Sequence, residues 1–270
     1  MLDIILDALL DTLKLMPFLF ISFIIMELIE HKLNNKKKLI KANKFGPLIG
    51  SSLGVIPQCG FSALASNLYA ARVITLGTLF AIYLSTSDEM LPIMLSNKTD
   101  INIIIKILLI KFVLGITFGI IIDLIYHTKK DNNIKHLCEE DHCHCEESIL
   151  KSSIIHTLKI SLFILIINLL LNTIIDKELI TNFVNNNKIL APILTSIIGL
   201  IPNCASSVII TELYLDKVIT LGTCMSGLLA GSGVGILVLF KQNKNLKENI
   251  IILLLLILIA SSCGIIFNII

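Results

Sequence analysis

The feature that most constrains this chain is a series of apolar stretches close to the ~20 residues an α-helix needs to cross a bilayer core. Six of them, over 12–30, 73–95, 101–125, 152–175, 218–240 and 249–270, read as unbroken spans. Composition points the same way. Of 270 residues, 55% are hydrophobic and 16% charged, against about 25% charged in soluble domains. A soluble enzyme is excluded, and so is a disordered chain, because apolar content this high must be buried somewhere. A net charge of +2 offers no basic face for nucleic acid, so the lysines are read as markers of membrane topology. Asp3, Asp7 and Asp11 stand where a secretory leader would carry positive charge, and no cleavable leader is expected.

Two further apolar stretches, 46–71 and 191–216, are broken by Pro57-Gln58-Cys59-Gly60 and by Pro202-Asn203-Cys204-Ala205. Each arm has about 12 residues, or ~18 Å of helix, too short to cross alone. Each stretch is expected either to enter and return as a Pro-broken hairpin or to make two very short spans. The two are copies at a constant offset of 145 residues, the distance from Pro57 to Pro202. At that offset Pro47 meets Pro192, Gly54 meets Gly199 and Cys59 meets Cys204, and the string V-I-T-L-G-T at 73–78 recurs at 218–223. Similarity between Ile/Leu runs could not align the prolines, glycines and cysteines.

Charge orients the copies. Lys32, Lys36, Lys37, Lys38, Lys41 and Lys44 crowd the loop before the first broken stretch, whereas 176–188 holds only Lys177 and Lys188 beside Asp176 and Glu178. Further along the bias reverses, with Lys98 alone in 96–100 against Lys241, Lys244 and Lys247. Positive loops stay in the cytoplasm, so 32–44, 127–151 and 241–248 are expected inside and both termini outside. The expected fold is an all-α integral membrane protein of the cytoplasmic membrane. It has two inverted repeats, each with a Pro-broken helical hairpin plus three long transmembrane helices, about ten helical segments in all. Residues 1–126 form the first repeat, 127–150 a cytosolic Cys/His-rich linker and 151–270 the second. Inverted repeats around broken helices are a plan of secondary transporters, with the site near the midplane between them.

Three constellations carry candidate chemistry. At the two breaks, Pro57 and Pro202 open the helix, and Gln58, Cys59, Asn203 and Cys204 set an amide and a thiol beside each opening. Thiols with amide oxygens suit a soft or borderline cation; alternatively, each cysteine is a small buried residue in a tight turn. Within 73–95, Ser85-Thr86-Ser87-Asp88-Glu89 sets two carboxylates in an apolar span, which is costly and points to function. Asp88 and Glu89 are expected to bind a cation or carry a proton, or else to pair with Lys106 and Lys111. The second half has Gly231-Ser232-Gly233-Val234 instead, with Gly231 and Gly233 expected as helix-break positions. In the linker, His136, Cys138, His142, Cys143, His144 and Cys145 offer imidazole and thiolate ligands for zinc and its neighbours. Their spacing lacks the paired C-x₂-C of a structural zinc module, so a flexible collecting site is expected. The competing reading is a solvated acidic linker.

P-Q-C-G-F-S at 57–62, L-S-T-S-D-E-M-L-P at 84–92, I-P-N-C at 201–204 and the Cys/His loop together resemble the ten-transmembrane heavy-metal exporter family, whose members are labelled arsenic-efflux or manganese transporters. The resemblance implies a membrane metal transporter and carries Pro57, Gln58, Cys59, Asp88, Glu89, Pro202, Asn203 and Cys204 over as its motif residues. The resulting expectation is a secondary-active exporter of a heavy-metal or divalent cation (Mn, Zn, Cd or As(III)-like), coupled to protons. Its partners are the bilayer and the metal, with no resident cofactor and no nucleic acid; a homo-oligomer is left open. No phosphate-binding loop, H-E-x-x-H or G-x-S-x-G occurs, so neither ATP hydrolysis nor another enzymatic activity is expected. Two rivals remain: a transporter of an anion or small organic solute that uses helix dipoles, and a membrane thiol-redox protein.

Overall fold

Among the described residues every regular element is an α-helix, in the order α1 (Gly46–Gly54), α2 (Cys59–Ala70), α3 (Leu76–Ser85), α4 (Met90–Ser96), α5 (Ile101–Ile125), α6 (Ala191–Gly199), α7 (Cys204–Leu215), α8 (Leu221–Ala230), α9 (Gly235–Gln242) and α10 (Leu246–Ile269). The structure is a computed structural model that describes residues 45–56, 59–87, 89–126 and 190–269, with scattered helical positions between 9 and 24 and between 153 and 166. At Cys59, Cys204 and Ala205 it describes the backbone alone. The helix bounds recur. α6, α7 and α8 begin and end 145 residues after α1, α2 and α3, and α9 and α10 begin 145 residues after α4 and α5.

The same local chemistry starts and stops the paired helices. Pro47 and Pro192 sit in the first turns of α1 and α6, where a missing N–H costs nothing. Thr75 caps α3 by accepting from Thr78 N at 3.2 Å, and Thr220 caps α8 by accepting from Thr223 N at 3.3 Å. α2 and α7 end in left-handed residues, Arg72 at φ 61° and Lys217 at φ 58°. The closing N–H bonds, Val73 to Leu68 O at 2.8 Å and Val218 to Leu213 O at 2.9 Å, satisfy carbonyls the helix leaves open.

α5 packs along α3 and α1, and α10 along α8 and α6. The fourth helix of each half crosses over, so that α4 lies on α7 and α9 on α2. Small residues allow the closest approaches. A Cβ on Gly77 would lie 2.0 Å from Gly119 O, and one on Gly222 would lie 2.4 Å from Gly264 O. The C-terminal end of α5 meets the start of α3, where Asp123 accepts from Thr75 Oγ1 at 2.7 Å and from Gly77 N at 2.8 Å. At the matching place Thr220 Oγ1 donates to Asn268 Oδ1 at 2.6 Å.

α10 therefore has different neighbours at its two ends. Beside its first turn Glu248 takes both guanidinium nitrogens of Arg72, at 2.6 and 2.7 Å, and the hydroxyl of Tyr69, all just ahead of α3. Beside its last turn stands the start of α8. These ends lie ~36 Å apart, at 1.5 Å per residue over 24 residues.

α5, the α8–α9 segment and α10 are long and apolar enough to cross a membrane, with mean hydropathies of 2.4, 1.8 and 3.1. Only 28% of the most apolar 18 residues of α5 and 33% of those of α10 are buried, against 83% in α8–α9. The outer helices thus turn residues such as Leu109, Leu124, Leu254 and Leu258 outward, while α3 and α8 form the interior. Outward apolar belts around a buried core fit a multi-pass membrane protein.

One expectation is corrected. The stretch 73–95, read as one span, is two helices interrupted between Ser85 and Met90, and 218–240 is likewise interrupted between Ala230 and Gly235, around Gly231 and Gly233. In the first, hydroxyls compete with peptide N–H groups for the last carbonyls of the helix. In the second, Gly233 adopts φ 52°, a left-handed conformation that glycine takes at the least cost.

Candidate functional site

The interruption after α3 is a buried strip of hydroxyls. Ser85, Thr86 and Ser87 are all fully enclosed, and Glu89, at the start of α4, is half-buried. Thr86 leaves the helix in an extended conformation, φ −56° and ψ 126°. Ser85 Oγ donates to Ala81 O and Thr86 Oγ1 to Ile82 O, each at 2.7 Å, and Ser87 Oγ reaches across to Val55 O, 2.6 Å away at the end of α1. Each hydroxyl proton is therefore committed, and what the oxygens still offer is lone pairs, which suit a cation. Asp88 lies outside the described residues.

The matching interruption after α8 is built without acids. Gly231 ends the helix, Ser232 is buried with no hydrogen-bond partner for its Oγ, and Gly233 turns the chain into α9. Bare glycine lets other backbone come near, so a Cβ on Gly231 would meet Gly227 O, Leu228 O and Gly199 O at 3.4, 3.6 and 3.7 Å. A second polar junction ties α2, α3 and α9. Ser66 Oγ lies 2.7 Å from Tyr83 Oη, from Ser62 O and from Gly235 O, with the Tyr83 hydroxyl available to donate.

Lys111 joins the two interruptions. Its side chain leaves the middle of α5, is 1% exposed, and its Nζ donates to Thr86 O in the first half and to Leu228 O in the second, the latter at 2.8 Å. Lys106 points the other way and is exposed. The two lysines, grouped together on sequence depth, are thus separated by the helical phase of α5, and Lys111 is the one that reaches the site.

At the other candidate positions the description is partial. Asn203 is buried just before α7; its carbonyl accepts from Ser206 Oγ at 2.8 Å, and Pro202 beside it is half-buried. Cys59 and Cys204 are the first residues of α2 and α7, so both thiols belong to helix starts. Their side chains lie outside the described residues, as do Pro57 and Gln58 and the linker ligands His136, Cys138, His142, Cys143, His144 and Cys145. Among the described residues no three His, Cys, Asp or Glu side chains gather as metal ligands. Cys224 and Cys263 are buried and unpaired. A cavity of about 240 Å³ between α1, α2 and α3 is lined by apolar residues such as Ile49, Phe61, Leu64 and Ile82, with Thr78 as its one polar side chain.

Sequence reasoning missed Ser66, Tyr83 and the Arg72–Glu248 pair. Ser66 and Tyr83 carry no local signal, since an isolated hydroxyl in an apolar run is common. Arg72, the chain's one arginine, reads from sequence as a marker of interface depth beside Tyr69, and only the structure pairs it with Glu248.

Residues 1–177 match the family model described as "Putative, 10TM heavy-metal exporter". No curated protein and no solved structure matches the chain.

Proposed function

Because the chain belongs to the family of 10TM heavy-metal exporters, membrane transporters of metals, we propose that it is a secondary-active exporter of a heavy-metal or divalent cation driven by protons. The observation that carries this reading is the interruption between α3 and α4, where hydroxyl oxygens with spare lone pairs stand in a water-poor interior next to Glu89. Irregular backbone at membrane depth is tolerated where protein buries it or where it lines a pathway. Asp88 and Glu89 supply the charge that holds the cation, or carry the proton exchanged for it. Cys59 and Cys204, with Gln58 and Asn203, form the soft-ligand part of the site, and Mn, Zn, Cd and As(III) species are the substrates that such a mixed set suits. The linker residues from His136 to Cys145 collect metal on the cytosolic side.

Alternating access needs two halves of opposite orientation, residues 1–126 and 151–270 on either side of the linker 127–150. Two observations support that arrangement. The helix bounds recur at one offset, and α3 and α8 start beside opposite ends of α10. With lysine-rich loops inside, the protein sits in the cytoplasmic membrane with both termini outside.

Metal accumulation in cells producing the protein tests the reading. Wild type is expected to lower cellular metal several-fold, and Cys59→Ala and Asp88→Asn each to abolish that effect. If both variants export as well as wild type, the assigned site is wrong. The rival reading is a transporter of an anion or small organic solute that uses the helix dipoles at the breaks. Screening oxyanions beside metals in the same cells separates the two.

A further inference from the structure

We propose that the ammonium of Lys111 is a tethered cation: it fills a carbonyl-lined seat for a free monovalent cation, formed where the interrupted helices of the two halves meet. An ammonium withdrawn from water costs several kcal/mol unless its protons find acceptors. Lys111 Nζ finds them at two helix ends. Leu228 is among the last four residues of α8, whose carbonyls have no N–H partner within the helix, and Thr86 is the residue that closes α3. Both carbonyls also carry the negative end of a helix dipole. Two converging helix C-terminal ends are what a dehydrated alkali cation is offered in broken-helix transporters.

The comparison of the halves strengthens the assignment. The position matching Lys111 is Leu256, fully buried on α10. Among the described residues, Lys111 thus supplies one cation for two helix ends from opposite halves. A charge covalently held here does for the junction what a bound co-ion would do elsewhere, and it does so at every sodium or potassium concentration. The tethered cation deepens the transporter reading above, but its test reads protein stability, so the outcome of metal-efflux assays leaves it untouched.

The experiment uses the full chain purified in detergent. Melting points of wild type, Lys111→Ala and Lys106→Ala are compared in choline chloride, sodium chloride, potassium chloride and methylammonium chloride at one ionic strength. Wild type and Lys106→Ala are expected to melt at the same temperature in all four salts. Lys111→Ala is expected to melt lower in choline, which is too large for the seat, and to recover several degrees in methylammonium and in sodium or potassium. Should Lys111→Ala yield no folded protein in choline, its folded yield after purification in methylammonium or sodium reads the same point. A melting point or yield that none of the three small cations restores overturns the assignment, and so does a variant that melts like wild type in choline.

Discussion

The two halves of this molecule share a scaffold and differ in the groups placed on it. Thr75 and Thr220 cap α3 and α8 with the same geometry, Gly77 and Gly222 press the same way on Gly119 and Gly264, and Asp123 is matched by Asn268 at the same contact. At the interruptions the likeness stops. Ser87, Asp88 and Glu89 correspond to Ser232, Gly233 and Val234, Lys111 to Leu256, and the Arg72–Glu248 pair to Lys217 and Ile103. Duplication of packing is cheap to retain, because each half must bury the same helix faces. Charges inside a membrane are costly, so their duplication is not retained as the packing is.

Three measurements bear on this contrast. The largest effect is expected where the halves agree. Gly77→Ala and Gly222→Ala each force a methyl group to within 2.4 Å of a facing carbonyl, and should cost a similar amount, about 3 kcal/mol of stability, by analogy with overpacked cores. Melting points that differ widely between them would show that the shared scaffold is not shared energetically.

A middle-sized effect is expected where only one half has an ion pair. Arg72→Gln removes a bidentate contact whose partners are 23% and 17% exposed, worth about 1 kcal/mol after allowance for solvent. Lys217→Gln, at the matching exposed position, should change the melting point little. Equal losses would mean that the ion pair contributes nothing beyond the shared turn.

The smallest effect separates two serines. Ser87→Ala loses the bond to Val55 O, at a cost of about 1 kcal/mol. Ser232→Ala removes a buried hydroxyl that has no partner, and should be neutral or slightly stabilising. Denaturation of the two variants side by side reads the difference, and a larger loss at Ser232 would reverse the assignment.

Much of this is readable from residues alone, for physical reasons. An offset of 145 residues lines up Pro47 with Pro192 and the V-I-T-L-G-T strings, and the helix ends follow it because capping depends on a few neighbouring side chains. The acids at 88 and 89 stand out because an ionisable group in an apolar run is expensive anywhere. The interruption at 86–89 was not legible as a helix end, since serine and threonine occur in continuous membrane helices as well, whereas Gly231 and Gly233 stood out in the second half as helix-breaking residues. Nor could Lys106 and Lys111 be told apart on hydropathy, which averages over the helical phase that turns one outward and the other inward.

The sequence by itself determined the solvent, the helical content and the register of the repeat, because apolar runs, caps and prolines act over a turn or two of chain. Only the tertiary structure decided that Lys111 bridges Thr86 and Leu228, that Glu248 holds Arg72 and Tyr69, and that α4 and α9 cross to α7 and α2. Those contacts join residues more than a hundred positions apart or lying on different helices. Which of many buried carbonyls meets a given ammonium depends on helix phase and crossing, which no local pattern records.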